Sequence, residues 1–228
     1  MKTKKVFLLF GASGNLGNTA VEYFLDQDYD HYYFFTRKMF ELKTTKKYDM
    51  ISISDMTKEE NVAQAFQSIV LEKESNYFLF SAIGAYIGGE AIAETKYSDF
   101  MKMLNINLST SFLLSKYFSK LVQNTNGGSI CFTSAKSSLY PEENRGAYNI
   151  SKNAVNVLVK TLALEGKRFN LSANAVAPYV IDSAENREWV EDKSLLVSSS
   201  EICQMVQSLF KNYKTVTGNI IELPGSIG

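Results

Sequence analysis

Short apolar runs alternate with segments of helical spacing along the chain, and this alternation constrains the fold more than any other feature. Apolar runs of this length are typical of strands that are buried on both faces of a parallel sheet. We predict strands at residues 5–10, 32–35, 50–53, 77–81, 129–133, 171–177 and 219–223, and helices at residues 15–27, 58–74, 97–123, 147–166 and 199–213. The pattern predicts an α/β fold, a doubly wound parallel sheet of about seven strands with helices on both faces. No Pro-, Gly- or Ser-rich linker interrupts it, so residues 1–228 are predicted to form a single domain.

The overall charge argues against several kinds of partner. The 24 basic and 24 acidic side chains balance to a net charge of zero, so no basic field attracts nucleic acid or an anionic membrane surface. No apolar run approaches the length of a membrane-spanning helix, and VFLLF is too short for the core of a signal peptide. Two cysteines, Cys131 and Cys203, are too few for a disulfide framework. We expect a cytoplasmic protein that binds neither nucleic acid nor membranes.

The histidine content limits the chemistry. His31 is the only histidine, so zinc sites built on histidine, Ser-His-Asp triads and Cys-His pairs each have at most one candidate. Because it directly precedes the apolar run YYFF, we interpret His31 as a surface or strand-edge residue. No metal site is predicted.

A glycine trio follows the first predicted strand and precedes the first predicted helix, in FLLFGASGNLGNTAVEYFL. Glycines here allow a tight turn and a close approach of the backbone to a pyrophosphate, and the N–H groups of the helix N-terminus hold the anion. The alternative is an ordinary strand-to-helix turn, but the flanking strand and helix are the context that a dinucleotide site requires. We therefore predict a Rossmann-type dinucleotide site. Its loop residues are Gly11, Ser13, Gly14, Asn15, Leu16 and Gly17.

The end of the second strand bears on which dinucleotide binds. NAD sites place an acid there for the ribose hydroxyls, whereas NADP sites place a basic group for the 2′-phosphate. This chain has Arg37 and Lys38 and no acid, which favours NADP(H) over NAD(H). The alternative is a solvated basic loop, since further lysines follow at 43, 46 and 47. After the third strand, Asp55 is a candidate either for the adenine amino group or for the N-cap of the next helix, and Met56 is placed beside it in the cofactor site.

A tyrosine and a lysine four residues apart occur in GAYNISK. On a helix, Tyr148 and Lys152 share one face. An ammonium near a phenol lowers the phenol pKa from about 10, so that the tyrosine exchanges a proton with substrate near neutral pH. One such pair is expected by chance among 13 tyrosines, so the interpretation depends on the other motifs. Ser134 is the candidate that hydrogen-bonds the same carbonyl group, with Ser137 and Ser138 close by.

The glycine loop, Ser134, Tyr148 and Lys152 together resemble the short-chain dehydrogenase/reductase family, and the likeness covers essentially the whole chain. Asn107 in MLNINLSTSFLLSKY matches the family's helix asparagine, and SAIG, NAVAP and TGNIIEL match motifs at the ends of later strands. Ser134 lies fourteen residues before Tyr148, one more than is expected for the family.

The resemblance implies a mechanism. A hydride passes from nicotinamide C4 to a carbonyl carbon, Tyr148 donates a proton to the oxygen, and Ser134 hydrogen-bonds that oxygen. Lys152 tunes Tyr148 and holds the nicotinamide ribose, and Asn107 fixes a water that replenishes the proton. Tyr148 and Lys152 therefore count among the cofactor contacts as well as the catalytic residues. Further cofactor contacts implied by the resemblance are Ala82, Ile83, Gly84, Pro178, Ile181 against the carboxamide, and Ser183 in place of the family's usual threonine.

The chain also departs from the family pattern. Its glycines fit the G-x-x-G-x-x-G spacing of the larger, sugar-modifying branch, and Asn15 stands at the middle glycine of the reductase branch. Phe10 replaces a common threonine, and Ser81 replaces the asparagine that usually follows the fourth strand. Tyr179 replaces the glycine after Pro178 and is expected to narrow the nicotinamide pocket. None of these changes removes a catalytic group.

The leading interpretation is an NADPH-dependent reductase of a ketone or aldehyde, with a small-molecule carbonyl or alcohol as substrate. The alternatives are a nucleotide-sugar reductase or epimerase-like enzyme, and a non-catalytic NADP-binding sensor. Specificity is expected in residues 178–199, where Arg187 is a candidate for an anionic substrate and Trp189 for stacking on a ring. The helix at 147–166 is apolar nearly all round, and family members pair through this helix, so a homodimer or homotetramer is expected.

Overall fold

The computed structural model describes residues 3–225. Strands β1 to β9 span, in order, Lys4–Phe10, His31–Thr36, Tyr48–Ser52, Ser75–Ser81, Gly128–Thr133, Leu171–Pro178, Val180–Ile181, Leu196–Val197 and Ile220–Leu223. Helices α1 to α7 span Asn15–Leu25, Glu59–Gln67, Tyr97–Met103, Thr110–Val122, Gly146–Gly166, Ala184–Trp189 and Ser199–Lys211. Seven strands form one parallel sheet in the order β3-β2-β1-β4-β5-β6-β9. The predicted doubly wound sheet is confirmed.

Side chains of β1, an interior strand of the sheet, alternate between two apolar cores, one on each face. Val6, Leu8 and Phe10 enter the core that α2, α4 and α5 cover, whereas Phe7 and Leu9 enter the core that α1 and α7 cover. All five are almost fully buried. Burial of a side chain of this size contributes about 1.5–3 kcal/mol, so the continuous apolar run favours an interior position of β1, between β2 and β4.

The helix predicted at residues 58–74 is wrong in length, since α2 ends at Gln67. Beyond this point, tyrosine hydroxyls from the neighbouring strands accept the backbone hydrogen bonds. The N–H of Val70 donates to the hydroxyl of Tyr33 at 3.1 Å, and the N–H of Glu72 donates to that of Tyr77 at 2.8 Å. These tertiary bonds replace the helical ones, which the local apolar spacing could not indicate. The helices α1, α5 and α7 agree with their predicted ranges to within two residues at each end.

The helix predicted at residues 97–123 contains a feature that the sequence did not indicate. A π-helical segment, Leu104–Ser109, joins α3 to α4 and includes Asn107. A π-turn holds one residue more than an α-turn, and such segments are frequent at functional sites. The side chain of Asn107 is buried in the interior.

His31 lies at the end of a strand, one of the two positions predicted for it, but it is buried rather than at the surface. It is the first residue of β2, is only 5% exposed, and its ring stacks on that of Tyr33 with centroids 4.4 Å apart. Its Nε2 lies 2.7 Å from a carboxylate oxygen of Asp49 on β3. The histidine therefore links two strands at the amino end of the sheet.

Two features are absent from residues 3–225. None of the helices there combines the length and the apolar character needed to cross a bilayer. The same residues contain no group of three or more His, Cys, Asp or Glu side chains that could surround a metal ion.

Candidate active site

A crevice of about 480 Å³ opens at the carboxyl ends of β1, β2 and β4, where a doubly wound sheet binds its ligands. Nine of the predicted cofactor residues line it: Gly11, Ser13, Gly14, Arg37, Asp55, Met56, Ala82, Ile83 and Gly84. Leu16 and Gly17 instead pack into the buried side of α1, and Lys38 is exposed beyond the crevice. The crevice thus brings together residues from four separate segments of the chain.

The glycine loop requires glycine at two positions for different reasons. Gly11 has φ of +90°, a conformation that side chains rarely adopt. A Cβ on Gly17 would lie 2.0 Å from the carbonyl oxygen of Gly11, so helix α1 could not approach the end of β1 with any larger residue. Gly14 is the N-cap of α1 and has no side chain to occupy the first-turn N–H groups. These features fit the pyrophosphate of a dinucleotide.

Asp55 does not cap the following helix, which corrects one of its two predicted roles. The N-cap of α2 is Lys58. One carboxylate oxygen of Asp55 accepts hydrogen bonds from the backbone N–H and the hydroxyl of Thr57, at 2.9 and 2.7 Å. These bonds hold the pKa of Asp55 below its usual value. Its predicted contact with adenine stays a prediction.

Lys152 buries its ammonium group within the site. The residue is 3% exposed, and its Nζ donates to the carbonyl oxygen of Thr133 at 2.7 Å. Burial lowers the lysine pKa to about 8, because a charged group loses solvation in the interior. A Cβ on Gly84 would lie 2.9 Å from this Nζ. Gly84 therefore leaves the space that the ammonium occupies.

Asn107 ties the end of β4 to helix α5. Its amide nitrogen donates to the carbonyl of Ala85 at 3.0 Å and to the hydroxyl of Ser151 at 2.9 Å, and its amide oxygen accepts from the N–H of Ala85 at 2.9 Å. The same oxygen would lie 3.6 Å from a Cβ on Gly84. Asn107 and Lys152 thus meet on either side of Gly84. The water bound by Asn107 stays a prediction.

The predicted effect of Lys152 on the Tyr148 pKa is wrong. Burial of the half-buried phenol raises its pKa above the usual value; the charge of Arg145 lowers it and Tyr86 raises it. The Lys152 ammonium lies 6.0 Å from the centre of the Tyr148 ring and is directed to the Thr133 carbonyl. Tyr148 therefore holds its proton at neutral pH.

Tyr86 is a site residue that the sequence interpretation missed. Its ring packs edge-on against that of Tyr148 with centroids 5.0 Å apart, and the guanidinium of Arg145 lies 5.7 Å from its centre. The ring itself is 51% exposed, so it forms an open wall beside Tyr148. No local motif distinguishes it among the 13 tyrosines.

The hydroxyl of Ser134 is bonded within the protein, and its predicted contact with the substrate oxygen stays a prediction. Its hydroxyl is buried and donates to the side-chain oxygen of Asn156 at 2.6 Å, with the hydroxyl of Ser138 3.1 Å away. Asn156 in turn donates to Ser138 at 2.8 Å. A hydroxyl has one proton to donate, and that of Ser134 is used inside the protein. The residue thirteen positions before Tyr148, where the family spacing expects the serine, is Ala135.

Residues 180–197 form a flap that is closed at its base by the two-stranded pairing of β7 with β8. The predicted cofactor contacts Ile181 and Ser183 take part in its internal bonds: the carbonyl of Ile181 accepts from the Asn186 side chain, and the Ser183 hydroxyl caps α6. Pro178 ends β6. The flap contacts the glycine loop through one bond, from the Asn15 amide to a Glu185 carboxylate oxygen at 2.6 Å.

Two candidate specificity residues, Arg187 and Trp189, and one departure from the family pattern, Tyr179, now have defined surroundings. Arg187 makes a two-pronged ion pair with Asp182 at 2.5 and 2.6 Å, so its charge is already compensated. Trp189 is 54% exposed on the flap. The Tyr179 ring lies beneath the ammonium of Lys136, 4.7 Å from it.

We predict a pH dependence from the buried Lys152. Its pKa is about 8 in the folded chain and near 10.5 when unfolded, so between these values the unfolded chain binds more protons and folding stability rises with pH. Between about pH 8 and pH 10.5, the unfolding free energy of the wild type should therefore rise by a few kcal/mol relative to that of Lys152→Met. Urea unfolding at several pH values measures it. Lys160→Met, at an exposed lysine, serves as the control. A difference in unfolding free energy between wild type and Lys152→Met that does not change with pH contradicts the burial argument.

Comparison with known proteins identifies the family of this chain. A family model described as short chain dehydrogenase matches residues 5–194. The 7alpha-hydroxysteroid dehydrogenase of Clostridium sardiniense is 33% identical over 95 residues, 42% of this chain and 36% of that protein. A tropinone reductase homologue of Arabidopsis thaliana is 27% identical over 143 residues, 62% of this chain and 54% of that protein. The alignments thus span about half or less of these relatives' own length.

Solved structures share the fold over nearly the full chain. ElxO with NADP bound has a TM-score of 0.86 at 23% identity, covering 96% of both chains. NAD+-bound xylitol dehydrogenase has a TM-score of 0.85 at 21% identity, covering 99% of this chain and 100% of that one. Because the family model extends over most of the sequence, the chain belongs to the short-chain dehydrogenase family.

Proposed function

We propose that the protein is an NAD(P)-dependent oxidoreductase that reduces a ketone or aldehyde with NADPH, using Tyr148 as the proton donor. One observation carries the proposal: Lys152 and Asn107 meet around Gly84, which also lines the crevice that begins at the glycine loop. A cofactor that extends from the loop along this crevice reaches the helix of Tyr148. Its nicotinamide supplies the hydride when bound.

The protein groups account for the proton. Burial raises the pKa of Tyr148 above its usual value, so the phenol is protonated and acts as a general acid. The phenolate left after transfer is stabilised by Arg145, whose charge already lowers this pKa. In this proposal its proton is replenished through a water held by Asn107, which meets Lys152 at Gly84.

NADP(H) is the proposed cofactor, in preference to NAD(H). Arg37 follows directly on β2, is exposed, and lines the crevice. The hydroxyl of Thr36 bonds to the carbonyl of Lys38 at 2.8 Å and fixes the turn that presents this arginine. ElxO was solved with NADP and the xylitol dehydrogenase with NAD+, so the fold accepts either, and the preference rests on Arg37.

The proposed substrate is a small-molecule carbonyl compound or, in the reverse direction, an alcohol. A cytoplasmic location is also proposed. It is supported by the two free thiols of Cys131 and Cys203, which are both buried without a disulfide.

Association into a homodimer or homotetramer is proposed from one stripe of helix α5. Ile150, Val157 and Leu164 recur every seven residues and are 49%, 59% and 68% exposed. Phe112 on α4 is 55% exposed. Exposed apolar side chains that repeat along one helix face are typical of an interface.

Tyr148→Phe should reduce turnover at least about a hundredfold, because it removes the proton donor. NADPH affinity should change little, since the ring remains. Turnover is measured by loss of NADPH absorbance with a panel of aldehydes and ketones, and affinity by NADPH fluorescence. Tyr140→Phe, at an exposed tyrosine, is the matched control. Full turnover by Tyr148→Phe would refute the assignment of Tyr148 as the proton donor. If the protein is a sensor instead, the wild type binds NADPH but turns over none of the carbonyl compounds.

Arg37→Ala should raise the Kd for NADPH about ten- to a hundredfold, because a charge-assisted hydrogen bond to a phosphate contributes about 1.5–3 kcal/mol. The Kd for NADH should stay nearly constant. Titration calorimetry with both cofactors measures the difference, and Lys43→Ala in the same basic loop is the control. Equal effects on both cofactors contradict the preference.

Val157→Lys should convert the assembled protein to a monomer, because it places a charge in the middle of the apolar stripe. Light scattering of the purified protein at micromolar concentration measures the mass. Val70→Lys alters a valine of similar exposure, 67%, away from the stripe and should leave the mass unchanged. A monomeric wild type refutes the association.

A further inference from the structure

The aromatic ring of Tyr86 lies at the end of the cofactor crevice, in contact with Tyr148. Gly84 and Ala85 line the crevice, and Tyr86 is the next residue along the chain. The rings of Tyr86 and Tyr148 have centroids 5.0 Å apart and planes inclined at 77°. A substrate whose oxygen reaches the Tyr148 hydroxyl therefore has the Tyr86 ring close to the rest of the molecule.

The loop that carries Tyr86 is fixed on both sides of the ring. Before it, the side-chain amide of Asn107 bonds to the N–H and to the carbonyl of Ala85, at 2.9 and 3.0 Å. After it, the N–H of Gly89 donates to the carbonyl of Asn144 at 2.7 Å. A ring that is held in place before the ligand arrives loses little freedom on binding, so it can contribute to affinity and orientation.

The surroundings of this ring favour an aromatic ligand over a charged or saturated one. Tyr86 is 51% exposed, which leaves about half of its surface for a ligand. The guanidinium of Arg145 lies 5.7 Å from the ring centroid, and one of its nitrogens is 2.9 Å from a carboxylate oxygen of Glu142. The guanidinium thus already has an anionic partner. A cation beside a ring attracts its π electrons, which reduces their repulsion of a second stacked ring.

We propose that Tyr86 is a specificity-determining residue that binds the aromatic group of an aryl aldehyde or aryl ketone; this inference rests on the reductase function proposed above. An aryl group on the carbonyl carbon is conjugated with the C=O bond and lies in its plane. Contact between the aryl group and the fixed Tyr86 ring therefore also orients the carbonyl beside Tyr148.

Two aldehydes of the same ring size test the proposal. Benzaldehyde and cyclohexanecarbaldehyde each carry a six-membered ring on the carbonyl carbon, aromatic in the first and saturated in the second. Tyr86→Leu should lower the ratio of their kcat/KM values about three- to tenfold, because leucine is apolar but has no aromatic ring. Intrinsic reactivity cancels when this ratio is compared between variants. Tyr86→Phe keeps the ring and should keep the wild-type ratio.

The control is Tyr97→Leu, which removes a tyrosine that is 74% exposed on α3 and should leave the ratio unchanged. The Kd for NADPH and the melting temperature are measured for every variant, and Tyr86→Met replaces Tyr86→Leu if the leucine variant does not bind NADPH. A fall in the ratio for the non-aromatic variant, with the ratio kept in Tyr86→Phe, supports the proposal.

Three results would overturn it. The first is an unchanged ratio in the variant without the ring, and the second is an equal fall in Tyr86→Phe, which would assign the effect to the hydroxyl. The third is a wild type that reduces saturated carbonyl compounds but no aryl ones, which contradicts the specificity and leaves the reductase function intact. A wild type that turns over none of the carbonyl compounds refutes the reductase function, and the role of Tyr86 with it.

Discussion

The ammonium of Lys152 is buried at the point where three parts of the fold meet, and the arrangement of the site follows from the need to accommodate it. A buried cation is costly unless hydrogen bonds compensate for lost hydration. The Thr133 carbonyl at the end of β5 provides one such bond at 2.7 Å. The absence of a side chain at Gly84 provides the room. The ends of β4 and β5 are thus held in fixed positions relative to α5.

Asn107 connects the π-helical segment Leu104–Ser109 to the same arrangement. The π-helical segment carries Asn107 into the interior, where both ends of its amide bind the backbone of Ala85. Its third bond, to Ser151, reaches the turn of α5 between Tyr148 and Lys152. The main-chain carbonyl of Asn107 is satisfied by the hydroxyl of Ser111 at 2.6 Å. Side-chain bonds therefore compensate for the irregular helix and at the same time fix the position of α5.

Features that depend on local chemistry could be predicted from the sequence. The apolar runs identified all seven strands of the sheet, and the glycine spacing identified the loop that begins α1. The adjacency of Tyr148 and Lys152 followed from helical periodicity alone. In each case the residues that decide the structure are neighbours in the chain, so a short window contains the information.

Features that depend on distant partners could not be predicted in this way. Ser134 was assigned by its position near Tyr148, but its direction depends on Asn156, which lies 22 residues later in the chain. The end of α2 depends on the hydroxyls of Tyr33 and Tyr77. The Tyr148 pKa depends on how deeply the phenol is buried, and the effect of burial exceeds that of the Arg145 charge. Each requires the tertiary structure.

The bond between Asn15 and Glu185 has a consequence for ligand exchange. The carboxylate lies at the first turn of α1, where the helix dipole and free N–H groups attract anions. An incoming phosphate and this carboxylate carry like charges and compete for the same positive end of the helix. An anion that binds at these N–H groups is therefore expected to weaken the bond between Asn15 and Glu185, which links the occupancy of the α1 N-terminus to the contact with residues 180–197.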